Sequence, residues 1–326
     1  LSFPFVHNTL PLAPTMPSYV KWVQLDYQRL PKIRNINRND VVVFNFPAGD
    51  TIINLPEFGS KFPYYDVLRT PEYNNNREKL MADYPILVHP MDKTDNYIKR
   101  CVGLPGDVIQ VKDSRLWVNH SPAFVAPSAQ TEYIVVTDGK PIPESFIEDT
   151  IGININEATA DFKIMEGRPN TFVINMTAGA AASLQKLPQV KEVSFYVDNI
   201  VGNTFPNDIA HAPWSVDNYG AIQIPKKGDI IQLNDSTIEI YRRLITNYEH
   251  NSLEKQNGQF YINGKPTNTY TVQLNYYWMM GDNRHRSQDS RYWGFVPETH
   301  IVGRAALIWF SYNKSIRWNR LFNLIK

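Results

Sequence analysis

Apolar and polar positions along most of this chain alternate in short runs and seldom recur at helical spacing. Val41, Val42, Val43, Phe44, Asn45 and Phe46 form a β-branched and aromatic run stopped by Pro47, the pattern of a strand largely buried on both faces. Further strands are predicted at 86–88, 97–102, 108–111, 116–118, 133–136, 171–175, 193–197, 230–233, 238–242 and 260–262, with turn residues between them. The sequence LPGD at 104–107 places Pro105 and Gly106 at the two centres of a type II turn and makes a hairpin of the strands on either side. Helical character is confined to 66–84 and to a short stretch near 180–187, while residues 1–36, rich in Pro and aromatics, predict an extended segment on the body.

This spacing predicts a mainly β protein: an antiparallel, coiled, barrel-like main body formed by 1–115 and 275–326, with a large β-rich lobe inserted at 116–274. LWVNHSPA at 116–123 echoes FYINGKPT at 260–267, as expected of two hairpins that use the same turn chemistry. The last segment, WFSYNKSIRWNRLFNLIK, would be a basic amphipathic end if helical, suited to a membrane surface or to docking on the body.

Composition narrows the function. A net charge of +1 gives no electrostatic basis for a nucleic-acid partner, which requires a concentrated basic surface. The single cysteine, Cys101, excludes an intramolecular disulfide, and the seven histidines form no HExxH or comparable cluster, so neither a metal nor another cofactor is expected. No apolar stretch approaches the roughly 20 residues that span a bilayer.

Two segments carry chemistry. In YIKRCVGLPGD, at 97–107, strand alternation puts Tyr97, Lys99 and Cys101 on one face and Ile98, Arg100 and Val102 on the other. A lysine on a strand face is most often solvated. To act as a general base it must instead be buried, because its pKa has to fall from about 10.4 by roughly three units. In MMGDNRHRSQDSRYWGFVPETHIVGRA, at 279–305, a dense polar loop lies between apolar flanks, so its charges need partners. Asp289 with Arg291, and Asp282 with Arg100 or Arg284, are the natural pairs, and a purely structural salt-bridge loop would satisfy the same pattern.

Together these segments, with RNDVVVFNFP at 38–47, resemble the characteristic boxes of bacterial type I signal peptidases, in the expected order. The resemblance is close over these segments and holds only in outline elsewhere. Asn39 replaces a customary glycine, a mild departure because Asn tolerates left-handed backbone. His285 and Arg286 stand where the first residue is commonly acidic. The resemblance implies a membrane-associated serine/lysine endopeptidase that removes signal peptides from exported preproteins at the outer face of the inner membrane, with small residues at the first and third positions before the cut. By resemblance, Lys99 is the general base and Ser287 orients it. Asp289 with Arg291, and Asp282 with Arg100, are supporting ion pairs.

The nucleophilic serine of that family has no counterpart here. Thr15, Met16, Pro17 and Ser18 look like its box, but Met, Pro and Ser are in the wrong order and the strand that should follow is missing. The chain begins at Leu1, so the anchor and the serine box are expected upstream, and the fragment 1–326 is expected not to cleave by itself. Two other readings stay open. One is a catalytically dead homologue that binds extended export peptides by strand addition. The other is a self-cleaving repressor-type serine/lysine protease, disfavoured by the near-zero charge and by the long stretch from Lys99 to Ser287.

Overall fold

A computed structural model describes residues 34–47, 96–153, 161–202, 204–308 and most of 51–88 and 311–325, together with short strands at 9–10 and 13–17. The chain divides into two units, one formed by 1–35 with 48–96 and the other by 36–47 with 97–326. The first contains the strand pair Thr51–Ile53 and Ile86–Val88 and the helices Tyr64–Leu68 and Arg77–Asp83. Its small core gathers Ile53, Tyr64, Tyr73 and Leu80.

The second unit is mainly β, built from several antiparallel sheets, and among the described residues none of them closes into a barrel. Six strands matter most for the site. In chain order they are β1 (Val41–Asn45), β2 (Asn96–Gly103), β3 (Gln130–Thr137), β4 (Tyr276–Met280), β5 (Val296–Pro297) and β6 (Ile301–Arg304). Five of these form one sheet in the order β5-β4-β2-β1-β6. β4 reads YYWMM and is buried at all five positions, as a continuous apolar run should be when both faces are covered. β2 lies between β4 and β1, so its backbone is bonded on both sides; Met279 faces Cys101 and Met280 faces Arg100. The turn after β2 forms as its residues demand: Gly106 has φ +91° and the Asp107 amide donates to the Leu104 carbonyl at 3.0 Å.

β3 belongs to a separate four-stranded sheet, flanked in the order Phe162–Met165, Arg168–Thr177, β3, Val190–Phe195. Helix Ala178–Leu184 packs on this sheet, and the two share a core around Val135, Ile174, Met176 and Leu184. A second, larger core surrounds Trp278, Tyr276, Ile109 and Phe295 beside the main sheet.

The two echoing hairpins are built alike. Asn119–His120 and Asn263–Gly264 are both left-handed pairs (φ +51° and +64°, +52° and +75°), and each Asn side chain accepts a backbone amide eleven residues earlier, at Val108 and at Ser252.

Two expectations change. The segment expected as a strand at 238–242 is the helix Ile238–Arg243, continued as a π-helical turn through Tyr248. Asn234 Oδ1 accepts the amides of Ser236 and Thr237 at its start, Glu239 pairs with Arg242 one turn on, and Ile238, Leu244, Ile245 and Tyr248 form one buried face. Among its described residues the C-terminal segment, which would have been amphipathic if helical, is not an α-helix. Tyr312–Asn313 pairs with Ser315–Ile316, and beyond a 3₁₀ turn at Trp318–Arg320 the amides of Phe322 and Ile325 bond back to the Ile308 and Ala306 carbonyls. Those long-range bonds hold it extended. Among the described residues no helix is long and apolar enough to cross a membrane.

Candidate active site

Lys99 sits in the middle of β2, half-buried, with its backbone fixed by strands on both sides. Its ammonium lies 5.9 Å from the centre of the Tyr97 ring, and that ring stacks on Phe46 and meets Trp293 edge-on. Lys99 Nζ is 2.9 Å from Ser287 Oγ, a hydrogen bond between residues 188 positions apart. Burial pushes the Lys99 pKa below the ordinary lysine range; the carboxylate of Asp289 opposes the shift and the guanidinium of Arg291 adds to it. A lysine in that state gives up its proton more readily than an exposed one, and a serine hydroxyl at hydrogen-bond distance fixes where its nitrogen points.

The loop that delivers Ser287 follows β4 directly. Asp289 is completely buried and Arg291 almost so, at 0% and 1% exposure. Arg291 meets the carboxylate with Nε and Nη2, each at 2.9 Å, and Asp289 also accepts the Gly281 amide at 3.2 Å and caps the short helix Ser290–Trp293. Arg291 and these amides hold the Asp289 carboxyl below its usual range even though burial alone would raise it. At the start of the loop, Arg100 clamps Asp282 with two parallel bonds of 2.8 and 2.7 Å, and its third nitrogen reaches the Asn39 carbonyl at 2.8 Å. Asn39 has φ +73°, the left-handed conformation for which Asn substitutes for glycine.

All six residues singled out from sequence, Lys99, Arg100, Asp282, Ser287, Asp289 and Arg291, therefore converge where the end of β4 meets the middle of β2. An open cleft of about 270 Å³ runs past Val41, Ile98, Lys99, Gly281 and Ser287. The serine box considered at 15–18 cannot be placed against it, because Ser18 and the side chains of 15–17 lie outside the described residues.

Sequence reasoning passed over three features. Gly281 is packed so tightly that a Cβ there would overlap the Ser287 side chain. Its signal was the glycine that opens the polar loop. Glu132, at the start of β3, pairs with Arg286 at 3.0 Å, and Asp217 pairs with His285 at 2.8 Å. Both contacts join distant parts of the chain, and nothing local in the sequence announces them. Among the described residues no cluster of metal-binding side chains occurs.

The chain matches the family described as signal peptidase, peptidase S26, over residues 2–175 and 222–310. It is 28% identical over 251 residues to a signal peptidase I of Buchnera aphidicola from Acyrthosiphon pisum, covering 74% of this chain and 59% of that protein. Similarity to the signal peptidase I of Haemophilus influenzae is 33% over 138 residues (40% of this chain, 32% of that one), and to that of Aquifex aeolicus 55% over 42 residues (13% and 16%). The chain thus spans at most about three fifths of the length of these relatives.

Proposed function

This chain belongs to the signal peptidase S26 family, and on that premise we propose that it carries the general-base half of a serine/lysine endopeptidase that cleaves signal peptides from exported preproteins. The observation that carries this reading is the 2.9 Å contact between Lys99 Nζ and Ser287 Oγ, made by a lysine whose pKa burial has lowered. Lys99 takes the proton of the attacking serine and returns one to the leaving amine. Ser287 aims Lys99, and Asp289–Arg291 and Asp282–Arg100 hold the loop and strand in register. The nucleophile is a serine other than Ser287, in an SM-type box that residues 1–326 do not contain. The catalytic body is formed by 1–115 with 275–326, and works at the outer face of the inner membrane on extended peptides laid along the cleft.

The test is cleavage of a preprotein by the full-length gene product. Lys99→Ala should abolish it and Ser287→Ala should lower kcat with little change in KM. Full activity of Lys99→Ala would refute the reading and favour a peptide-binding homologue. Robust cleavage by the fragment 1–326 alone would refute the assignment of the nucleophile and return Ser18 to consideration.

A further inference from the structure

The polar loop departs from the family pattern at His285 and Arg286, and both side chains turn towards the β3 sheet and not into the Lys99 contact. The His285 side chain is buried, 6% exposed, and that of its partner Asp217 is 2% exposed. The geometry fixes the tautomer. The Glu132 backbone N–H, which can only donate, lies 3.0 Å from Nδ1, so Nδ1 is the unprotonated acceptor. Nε2 then carries the hydrogen and donates to Asp217 Oδ2 at 2.8 Å. The Thr131 hydroxyl is also 3.0 Å from Nδ1, and the Tyr196 ring meets the imidazole edge-on. One residue on, Arg286 reaches Glu132 at 3.0 Å and Asp161 at 3.4 Å. On the other side of the loop the Gln130 amide donates to the Asp282 carbonyl at 2.9 Å, and Asn283 Nδ2 donates to Gln130 Oε1 at 3.0 Å. The first three residues of β3 thus grip the loop at 282, 283, 285 and 286, immediately before Ser287.

We propose that His285, seconded by Arg286, is a positioning residue that keys the Ser287 loop onto the β3 sheet and so keeps Ser287 Oγ on Lys99 Nζ. The inference rests on the reading of Lys99 as general base, and it gives the inserted lobe a role: β3 is the template against which the loop is set. A neutral imidazole suits this because it joins a backbone donor to a carboxylate, which an acidic residue at 285 could not do beside Asp217. His285 does not touch the reacting atoms and acts only through Ser287.

The test reads Lys99 directly, independently of peptidase activity. Trace labelling of amines with acetic anhydride across pH, followed by peptide mass spectrometry, gives the titration midpoint of each lysine. In the parent, Lys99 should titrate below the ordinary lysine value of about 10.4. His285→Ala should move the Lys99 midpoint up towards that value and, in the full-length enzyme, lower kcat by roughly 10- to 100-fold with KM within about threefold, the scale expected when a contact in the site is displaced by about 1 Å. His285→Asn, whose Oδ1 can stand in for Nδ1 as acceptor for the Glu132 amide, should recover most of both losses. An unmoved Lys99 midpoint in folded His285→Ala would overturn the proposal, whatever happens to kcat. If that variant does not fold, Arg286→Gln, at an exposed position, carries the test: a smaller rise of the Lys99 midpoint supports the proposal and none overturns it. A parent that titrates as described but cuts no signal peptide would refute the peptidase reading while leaving the positioning claim standing.

Discussion

Replacing Gly281 with alanine sets one methyl group against the serine that holds the lysine. The Gly281 backbone is not left-handed, so alanine is conformationally acceptable there and its effect is steric. The added Cβ would lie 2.5 Å from Ser287 Cβ and nearer still to its Oγ, against an ordinary contact of about 3.5–4.0 Å. Ser287 must therefore retreat by about 1 Å, because Gly281 is fixed by its amide bond to Asp289. Overpacking of this kind costs about 1–3 kcal/mol, from which the stiffening of the unfolded chain by Gly→Ala returns about 0.4–1 kcal/mol. A net destabilisation of about 1–2 kcal/mol is expected in urea unfolding, small beside the functional loss. A displacement of about 1 Å in a positioned group can cost as much as 100-fold in rate. The full-length Gly281→Ala enzyme should therefore lose one to two orders of magnitude in kcat, and its Lys99 should titrate closer to ordinary lysines. Adding Ser287→Gly removes the collision and should restore stability without restoring kcat, a non-additivity expected of touching residues. Parent-like kcat and an unshifted Lys99 in Gly281→Ala would refute the argument.

With Lys99 as the proposed general base, the neutral amine is the active form and kcat/KM should rise with pH through a midpoint below the ordinary lysine value of about 10.4, as a pH–rate profile would register. Stability should follow the same group. Below the lowered folded pKa both states hold the proton. Between that value and about 10.4 the unfolded chain binds more protons, so stability climbs with pH there, and Lys99→Met should flatten the climb in urea midpoints measured against pH. Arg291→Met should leave the Asp289 carboxylate buried without its counter-charge and destabilise the fold by about 3–5 kcal/mol in denaturant titration. At Asn39, Gly should be tolerated while Val should cost about 1–2 kcal/mol by the same measurement, because a β-branched residue resists a φ of +73°.

In the main sheet β1 and β2 were legible, because each is a short apolar or alternating run ended by its own stop, Pro47 after β1 and the LPGD turn after β2, whereas β4, β5 and β6, which flank the polar loop, were not read as strands. The 238–243 helix was not. IEIYRR alternates as a strand would, and what makes it helical is the Asn234–Thr237 turn before it together with burial of Ile238, Leu244, Ile245 and Tyr248, a period visible only when the window is extended. At the site, Lys99 and the polar loop stood out as boxes. Gly281, Glu132 and Asp217 did not, because a tight approach, or a pairing across 154 residues for Glu132 and 68 for Asp217, leaves no local periodicity.

Lys99 and Ser287 meet across 188 residues of chain. At a synthesis rate of about 5–20 residues per second, the lysine leaves the ribosome roughly 10–40 s before the serine it bonds. During that interval β2 also lacks β4, the neighbour that buries its other edge. The paired lysine is thus among the last things the nascent polypeptide can assemble, and a chain truncated before residue 287 carries the amine without the contact that aims it.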